Sequence, residues 1–126
     1  TLCQEKSIEL HLELVEPSPI VMLDAVLFDQ ILVNIIKNAV ESIGEEGQIV
    51  IQTYADPPSM EIADNGKGID KETESKLFTP FFSTKPNGQG LGLIFIREVL
   101  ERHRCLFSLR TYPDGFTRFK IAFPQN

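Results

Sequence analysis

The sequence predicts an α+β fold, a two-layer α/β sandwich in which one mixed, mostly antiparallel sheet of about five strands carries about three helices on one face. Three observations predict it. Residues 7 to 14 alternate polar and apolar at the period of a strand. Residues 24 to 43 repeat apolar side chains at the period of a helix. Four more short runs form two turn-linked strand pairs, with a second helical stretch between them.

In the first strand, Ile8, Leu10, Leu12 and Leu14 share one face, which reads as half-buried. Pro17 and Pro19 end it. The long helix takes Asp24 as N-cap and has Gly44 beyond its end. Residues 48 to 54 and 59 to 63 read as strands joined by a hairpin loop at Asp56-Pro57-Pro58. From Asp64 to Gly92 the chain carries five glycines, two prolines and three phenylalanines, the pattern of a long loop. A short helical turn is expected within it near Glu72 to Leu77, and residues 71 to 89 are expected to be its most mobile part without ligand. A helix from about Leu91 to Arg102 follows. Strands at 105 to 111 and 116 to 123, turning at Asp114-Gly115, close the chain.

The length of 126 residues suits a single domain, 1–126, able to bury a core without staples. An apolar content of 42% with 24% charge excludes a disordered chain. No apolar run approaches the ~20 residues of a membrane span, and no signal-peptide pattern is present. The net charge of −6 argues against a nucleic acid as main partner, because phosphate backbones need basic patches. Cys3 and Cys105 stand in no metal-binding spacing and suit a reducing cytoplasm.

Three constellations carry chemistry. On the long helix, Gln30, Asn34, Lys37, Asn38 and Glu41 fall within an arc of about 100°. Leu32, Ile35, Ile36, Ala39, Val40 and Ile43 cover much of the rest. A solvated stripe with a Lys37–Glu41 pair is the plain reading. Asparagine, however, is a poor helix former and occurs here twice at i, i+4. Carboxamide oxygens on one face can ligate Mg²⁺ beside phosphates. The second constellation, Asp64-Asn65-Gly66-Lys67-Gly68, follows the apolar run Met60 to Ala63. A carboxylate at a strand end can accept from an amine such as that of adenine, and the glycines let backbone approach a flat ligand. The competing reading is an Asn-Gly hairpin turn, but Ile69 to Lys76 is not a returning strand. The third, Thr84 to Leu93, opens a helix. Glycines two apart leave N–H groups to cradle phosphates, with the helix dipole and Lys85 adding positive charge. It lacks the GK[ST] of a P-loop, and a merely structural loop is the alternative.

Together these residues resemble the ATP-binding catalytic domain of bacterial two-component sensor histidine kinases, within the Bergerat-fold ATPase class. Asn34-Ile35-Ile36-Lys37-Asn38-Ala39 resembles the N box of that family. Asp64-Asn65-Gly66-Lys67-Gly68-Ile69 resembles its first glycine box, DxGxGI. Leu77-Phe78-Thr79-Pro80-Phe81-Phe82-Ser83-Thr84-Lys85 resembles its F box, and Gly88-Gln89-Gly90-Leu91-Gly92-Leu93 its second glycine box. Gly115-Phe116-Thr117-Arg118-Phe119, running on to Phe123-Pro124, is similar to its closing strand. The resemblance spans about residues 5 to 124.

It implies that Asn38 ligates a Mg²⁺ bridging the phosphates of ATP, assisted by Asn34. It implies that Asp64 binds the adenine amine, with Gly66, Gly68 and Ile69 lining the base pocket. Lys85 and the backbone around Gly88, Gly90, Leu91 and Gly92 would contact phosphates. Thr117 would reach the adenine site through water. Residues of about 70 to 90 would form a lid over ATP, with Phe78, Phe81 and Phe82 docking on a partner helix or anchoring the loop by burial. Gln89 stands where Thr or Ser is commoner in the family, and Glu41 where many members carry a basic residue, so neither is assigned a phosphate role.

Kinases of this family phosphorylate a histidine on a separate helical-hairpin dimerisation domain, and pass the phosphate to a response regulator. The chain holds only His11 and His103. His11, between Glu9 and Glu13, reads as solvated, and His103 as a cation at a helix C-terminus. Neither has the acceptor sequence of the family. The expectation is therefore an excised, monomeric, cytoplasmic ATP-binding unit with no catalytic residue of its own. Its parent would be either soluble or membrane-anchored. Two alternatives stand beside it: a gyrase-like ATPase or serine-directed anti-sigma-factor kinase, and a degenerate scaffold without catalysis. Hydrolytic members carry a general-base Glu one turn before the metal-binding Asn. Here that position is Asn34, which cannot accept a proton at neutral pH.

Overall fold

The computed structural model describes residues 7–15, 23–77 and 91–124. The elements run β1 (Ser7–Glu13), α1 (Ala25–Ile43), β2 (Glu46–Ala55), β3 (Pro58–Asp64), α2 (Lys71–Glu74), α3 (Leu91–Arg102), β4 (Leu106–Thr111) and β5 (Thr117–Ala122). The strands form one sheet in the order β1-β2-β3-β5-β4. Only β1 and β2 are parallel; the other three pairings are antiparallel. The mixed, mostly antiparallel sandwich expected from the sequence is the fold observed.

Helix α1 starts where its cap places it. The Asp24 carboxylate accepts from Leu27 N–H at 3.1 Å, satisfying a donor that the first turn leaves over. It ends at Gly44, whose φ of 85° lets the backbone leave the helix while its N–H donates to Val40 C=O. Ile31, Ile35, Ala39 and Val40 are buried, with Leu32, Ile36 and Ile43 packed beside them. From β2 and β3, Ile49 and Ile62 meet them; β5 adds Phe119 and Ile121, and α3 adds Ile96, Val99 and Leu100.

The face of β1 is less covered than its alternation predicts. Ile8 is buried, but Leu10, Leu12 and Leu14 are 47%, 59% and 55% exposed. The reason is position. Strand β1 is an edge strand, and α1 lies over β2 and β3, so an apolar face at the margin has little above it. The first hairpin is also tighter than expected: Pro58 pairs with Ala55 and opens β3, leaving a two-residue turn at Asp56-Pro57.

The expected helical turn is α2, capped by Asp70, whose carboxylate accepts from Thr73 N–H at 2.7 Å. It is tied to the sheet, because the Glu74 carboxylate accepts from Thr111 N–H at 3.1 Å, and Leu77 is buried. Residues 71 to 77 form a short stem held at Glu74 and Leu77, with Lys71, Glu72, Ser75 and Lys76 exposed. The remainder of the expected lid, residues 78 to 90, lies outside the described residues. Among the described residues, no helix is long and apolar enough to cross a membrane.

Candidate functional site

The apolar rows of β3 and β5 each end in a buried polar residue. Asp64 closes β3 and Thr117 opens β5; they are 6% and 4% exposed, and they stand directly opposite in the sheet register. They are the only buried polar or charged residues among those described. A carboxylate is placed in an apolar layer only where something compensates it. Here Gly66 N–H donates to Asp64 Oδ1 at 2.9 Å, and the Ser42 hydroxyl donates to the same carboxylate. Burial still outweighs both bonds and pushes the Asp64 carboxyl above its ordinary value. A carboxylate can accept about four hydrogen bonds. Two are used, so acceptor capacity remains for an incoming N–H donor.

The turn after Asp64 is held tightly on both sides. Toward β2, Gln48 N–H donates to Asn65 Oδ1 at 2.8 Å. Toward α1, Lys67 N–H donates to Ser42 C=O at 3.2 Å. A Cβ on Gly66 would lie 2.4 Å from Ser42 Oγ and 2.7 Å from Ser42 C=O. The absent side chain at Gly66 is therefore needed first for the close approach of α1. Gly68 has φ +80°, a conformation that other residues rarely adopt, and sits against Thr111. Beyond it, Ile69 N–H donates to Thr111 Oγ1 at 2.7 Å, and Thr111 Oγ1 lies 2.7 Å from Thr117 Oγ1.

Of the residues singled out in the sequence, the structure brings Asp64, Gly66, Gly68, Ile69 and Thr117 together at one end of the sheet. Asn34 and Asn38 are half-buried on α1, while Lys37 and Glu41 are exposed. Asn38 and Asn34 lie four and eight residues before Ser42 along the same line of the helix, ~6 Å further from the Asp64 end at each step. Leu91 and Gly92 fall at the start of α3. Lys85, Gly88, Gly90, Gln89, Phe78, Phe81 and Phe82 lie outside the described residues, as does Cys3. No group of three or more His, Cys, Asp or Glu that could hold a metal occurs among the described residues. The neutral oxygens of Asn34 and Asn38 suit Mg²⁺ that arrives with phosphates and water filling most of its shell.

The family described as "Histidine kinase-, DNA gyrase B-, and HSP90-like ATPase" matches residues 23–126. The chain belongs to this family. Among relatives, this histidine-kinase-type ATPase domain is 40% identical over 106 residues to the signal transduction histidine-protein kinase AtoS of Escherichia coli (strain K12), covering 82% of this chain and 17% of AtoS. It is 36% identical over 98 residues to sporulation kinase A of Bacillus subtilis (strain 168), covering 76% of this chain and 16% of that kinase. The chain thus spans a minor part of the relatives it matches. Among solved structures, the nucleotide-free catalytic domain of histidine kinase ThkA is similar at a TM-score of 0.85 and 28% identity, over 97% of this chain and 82% of that one. Full-length ShkA in complex with AMPPNP is similar at a TM-score of 0.79 and 25% identity, over 99% of this chain and 28% of that one.

Two residues that meet this cluster, Ser42 and Thr111, are outside the motifs singled out in the sequence. Ser42 continues the Asn34–Asn38 line by one more turn, and that spacing was legible. Thr111 was not marked by any motif. Only the pairing of β4 with β5 sets it opposite Thr117. The two histidines are both engaged. His11 contacts Glu9 at 3.0 Å on the open face of β1. His103 Nδ1 meets Val99 C=O at 2.8 Å at the helix end, but its Nε2 accepts from Asp24 N–H at 3.1 Å, so the ring bridges α3 to the start of α1 and is not the helix-end cation expected from the sequence.

Proposed function

We propose that this chain binds Mg·ATP at the Asp64 end of the sheet and presents the γ-phosphate to a histidine on a separate dimerisation domain, in two-component signalling. The observation that carries the reading is the buried Asp64 carboxylate with acceptor capacity left over. It supports an adenine whose exocyclic amine donates to Asp64, beside Gly66, Gly68, Ile69 and Thr117. The line Ser42–Asn38–Asn34 then leads away from the base along α1, where phosphates and their Mg²⁺ would lie, with Asn38 as ligand and Asn34 assisting. Lys85, Gly88, Gly90, Leu91 and Gly92 would complete the phosphate contacts, and Phe78, Phe81 and Phe82 the docking on the partner helix.

Catalysis by this chain is positioning and charge neutralisation. A nitrogen of the acceptor imidazole attacks the γ-phosphorus, the bond to the bridging oxygen breaks, ADP leaves, and the imidazole proton passes to solvent. Two features support an acceptor outside these 126 residues. His103 uses both ring nitrogens within the fold, and His11 is on the face of β1 opposite the core residue Ile8, so it points away from α1. Hydrolysis is disfavoured because Asn34 stands where a general base is needed, and such a base is worth ~10²–10⁴-fold. A response regulator would receive the phosphate next.

Calorimetry with Mg·ATP and Mg·GTP tests the pocket. Mixing the chain with a histidine-bearing hairpin domain and labelled ATP tests the transfer. Binding of ATP over GTP, and label on the hairpin that Asn38→Ala abolishes, are the expected results. Equal binding of both nucleotides, or phosphohistidine on His11 or His103, would overturn the reading.

A further inference from the structure

We infer that Thr111 is a positioning residue of the adenine pocket: it fixes the direction in which the buried Thr117 hydroxyl donates. The inference rests on the ATP-binding reading above and extends it to a residue that no motif marks.

The direction follows from which groups can only donate. Ile69 N–H is a backbone donor, so at 2.7 Å it makes Thr111 Oγ1 an acceptor. The hydrogen of Thr111 is then free for Thr117 Oγ1, also 2.7 Å away. The reverse sense, Thr117 donating to Thr111, would turn the Thr117 hydrogen away from the nearest charge. Asp64 is that charge: it stands directly across the strand pair from Thr117, on the same face and buried like it. Residues so paired have Cβ atoms ~5 Å apart. With Thr111 donating, the Thr117 hydrogen is left on the Asp64 side, and because the Asp64 carboxylate accepts from Gly66 and Ser42 and not from Thr117, that hydrogen remains for a ligand. The chain of donors therefore runs from Ile69 N–H through Thr111 to Thr117, and ends pointing into the pocket beside Asp64.

A backbone bond also anchors Thr111. Its N–H donates to Glu74 at 3.1 Å, and its γ-methyl is 3.3 Å from where a Cβ on Gly68 would be. The same residue thus anchors the turn after Asp64, the α2 stem and the hydroxyl of Thr117. The pocket then offers an acceptor and a donor side by side. That pair fits a purine edge on which an amine adjoins a ring nitrogen bearing a lone pair, reached directly or through one water. It opposes an edge on which a carbonyl adjoins an N–H.

Thr111→Val keeps the shape of the side chain and its methyl contact but removes the hydroxyl; Thr111→Ser keeps the hydroxyl. Binding of ATP, 1-deaza-ATP and 7-deaza-ATP to both variants and to the unaltered chain tests the inference. 1-Deaza-ATP lacks the ring nitrogen bonded to the amine-bearing carbon, and 7-deaza-ATP lacks the five-membered-ring nitrogen on the other side of the amine. Thr111→Val should weaken ATP about tenfold, the scale of one lost bond to a buried group, and Thr111→Ser should restore it. One analogue should bind the unaltered chain more weakly and be indifferent to Thr111→Val. Hydrogen exchange at the Ile69 amide should quicken in Thr111→Val and not in Thr111→Ser. Unchanged ATP affinity in Thr111→Val, or an equal loss for all three nucleotides, would overturn the role of Thr111. So would an Ile69 amide indifferent to the substitution. Failure of the unaltered chain to bind ATP at all would instead strike the functional reading, and this inference with it.

Discussion

Replacing Asp64 by asparagine separates what this side chain does for a ligand from what it does for the fold. In the folded chain the carboxylate accepts from Gly66 N–H at 2.9 Å and from the Ser42 hydroxyl. An asparagine oxygen can keep the Gly66 bond. Its NH₂ group then replaces the second oxygen, and an adenine amine meets a donor where it needs an acceptor. One unmade bond to a buried group costs about 1–3 kcal/mol, which is roughly 5- to 150-fold in Kd. Stability moves the other way. Burial raises the Asp64 carboxyl above its ordinary 3.8 in spite of the two hydrogen bonds. A carboxyl with a raised folded pKa stabilises the fold in its neutral form below the unfolded value, and that contribution is lost as pH rises through the folded value. Asparagine is neutral throughout. Asp64→Asn should therefore match the parent chain in acid and be the more stable of the two at neutral pH. Calorimetry with Mg·ATP reads the first effect, and urea denaturation from acid to neutral pH reads the second. An unaltered Kd, joined to a loss of stability at neutral pH, would refute the reasoning, because Asp64 would then be a structural carboxylate.

Other perturbations probe the surroundings of the site. Gly66→Ala would drive a methyl group into Ser42, part of it against backbone, and should cost about 1–3 kcal/mol in denaturant unfolding. His103→Ala removes the acceptor for Asp24 N–H and a contact to Val99 C=O. Both bonds are partly open to water, so a loss of about 0.5–1.5 kcal/mol in the same assay is expected. Asp114, gripped by both terminal nitrogens of Arg118 at 3.1 and 2.6 Å, has its carboxyl lowered from 3.8 to about 2. A lowered folded pKa contributes stability above 3.8 that is lost as pH falls toward about 2. The difference in Tm between the parent chain and Asp114→Asn should therefore close over that window, and a difference independent of pH would argue against the pairing.

Much of the fold was legible because local rules and burial agree here. Asp24 and Gly44 mark both ends of α1 by cap chemistry that acts within a few residues. The apolar side chains of that helix find the core that their period predicts. Strand β1 shows where periodicity stops informing: alternation gives a face, but only sheet order decides whether anything lies above it. Leu10 and Leu12 alternate as well as Ile8 does and remain exposed at the margin. The site divides in the same way. Asp64, Gly66 and Gly68 stand in one short motif, so their proximity is written in their spacing. Ser42 and Thr111 join them only through pairings across 22 and 42 residues, made by Ser42 with Asp64 and by Thr111 with Ile69. No short motif spans such distances.

The bonds that build the pocket wall are also bonds that close the fold. Ser42 joins α1 to the end of β3; Gly66 sits where only a glycine lets that helix approach; Thr111 ties the following turn to β4 and β5. None of these contacts needs a ligand in order to form. Every partner in them is a group of the chain itself, so they are made as the chain folds. The cost of the arrangement is the buried carboxylate, which weakens the fold in its charged form. An adenine amine would supply the partner that it lacks. On this view nucleotide binding stabilises the chain most where its own structure is least satisfied, and substitutions at Ser42 should weaken the fold and the site together, whereas Asp64→Asn drives them apart.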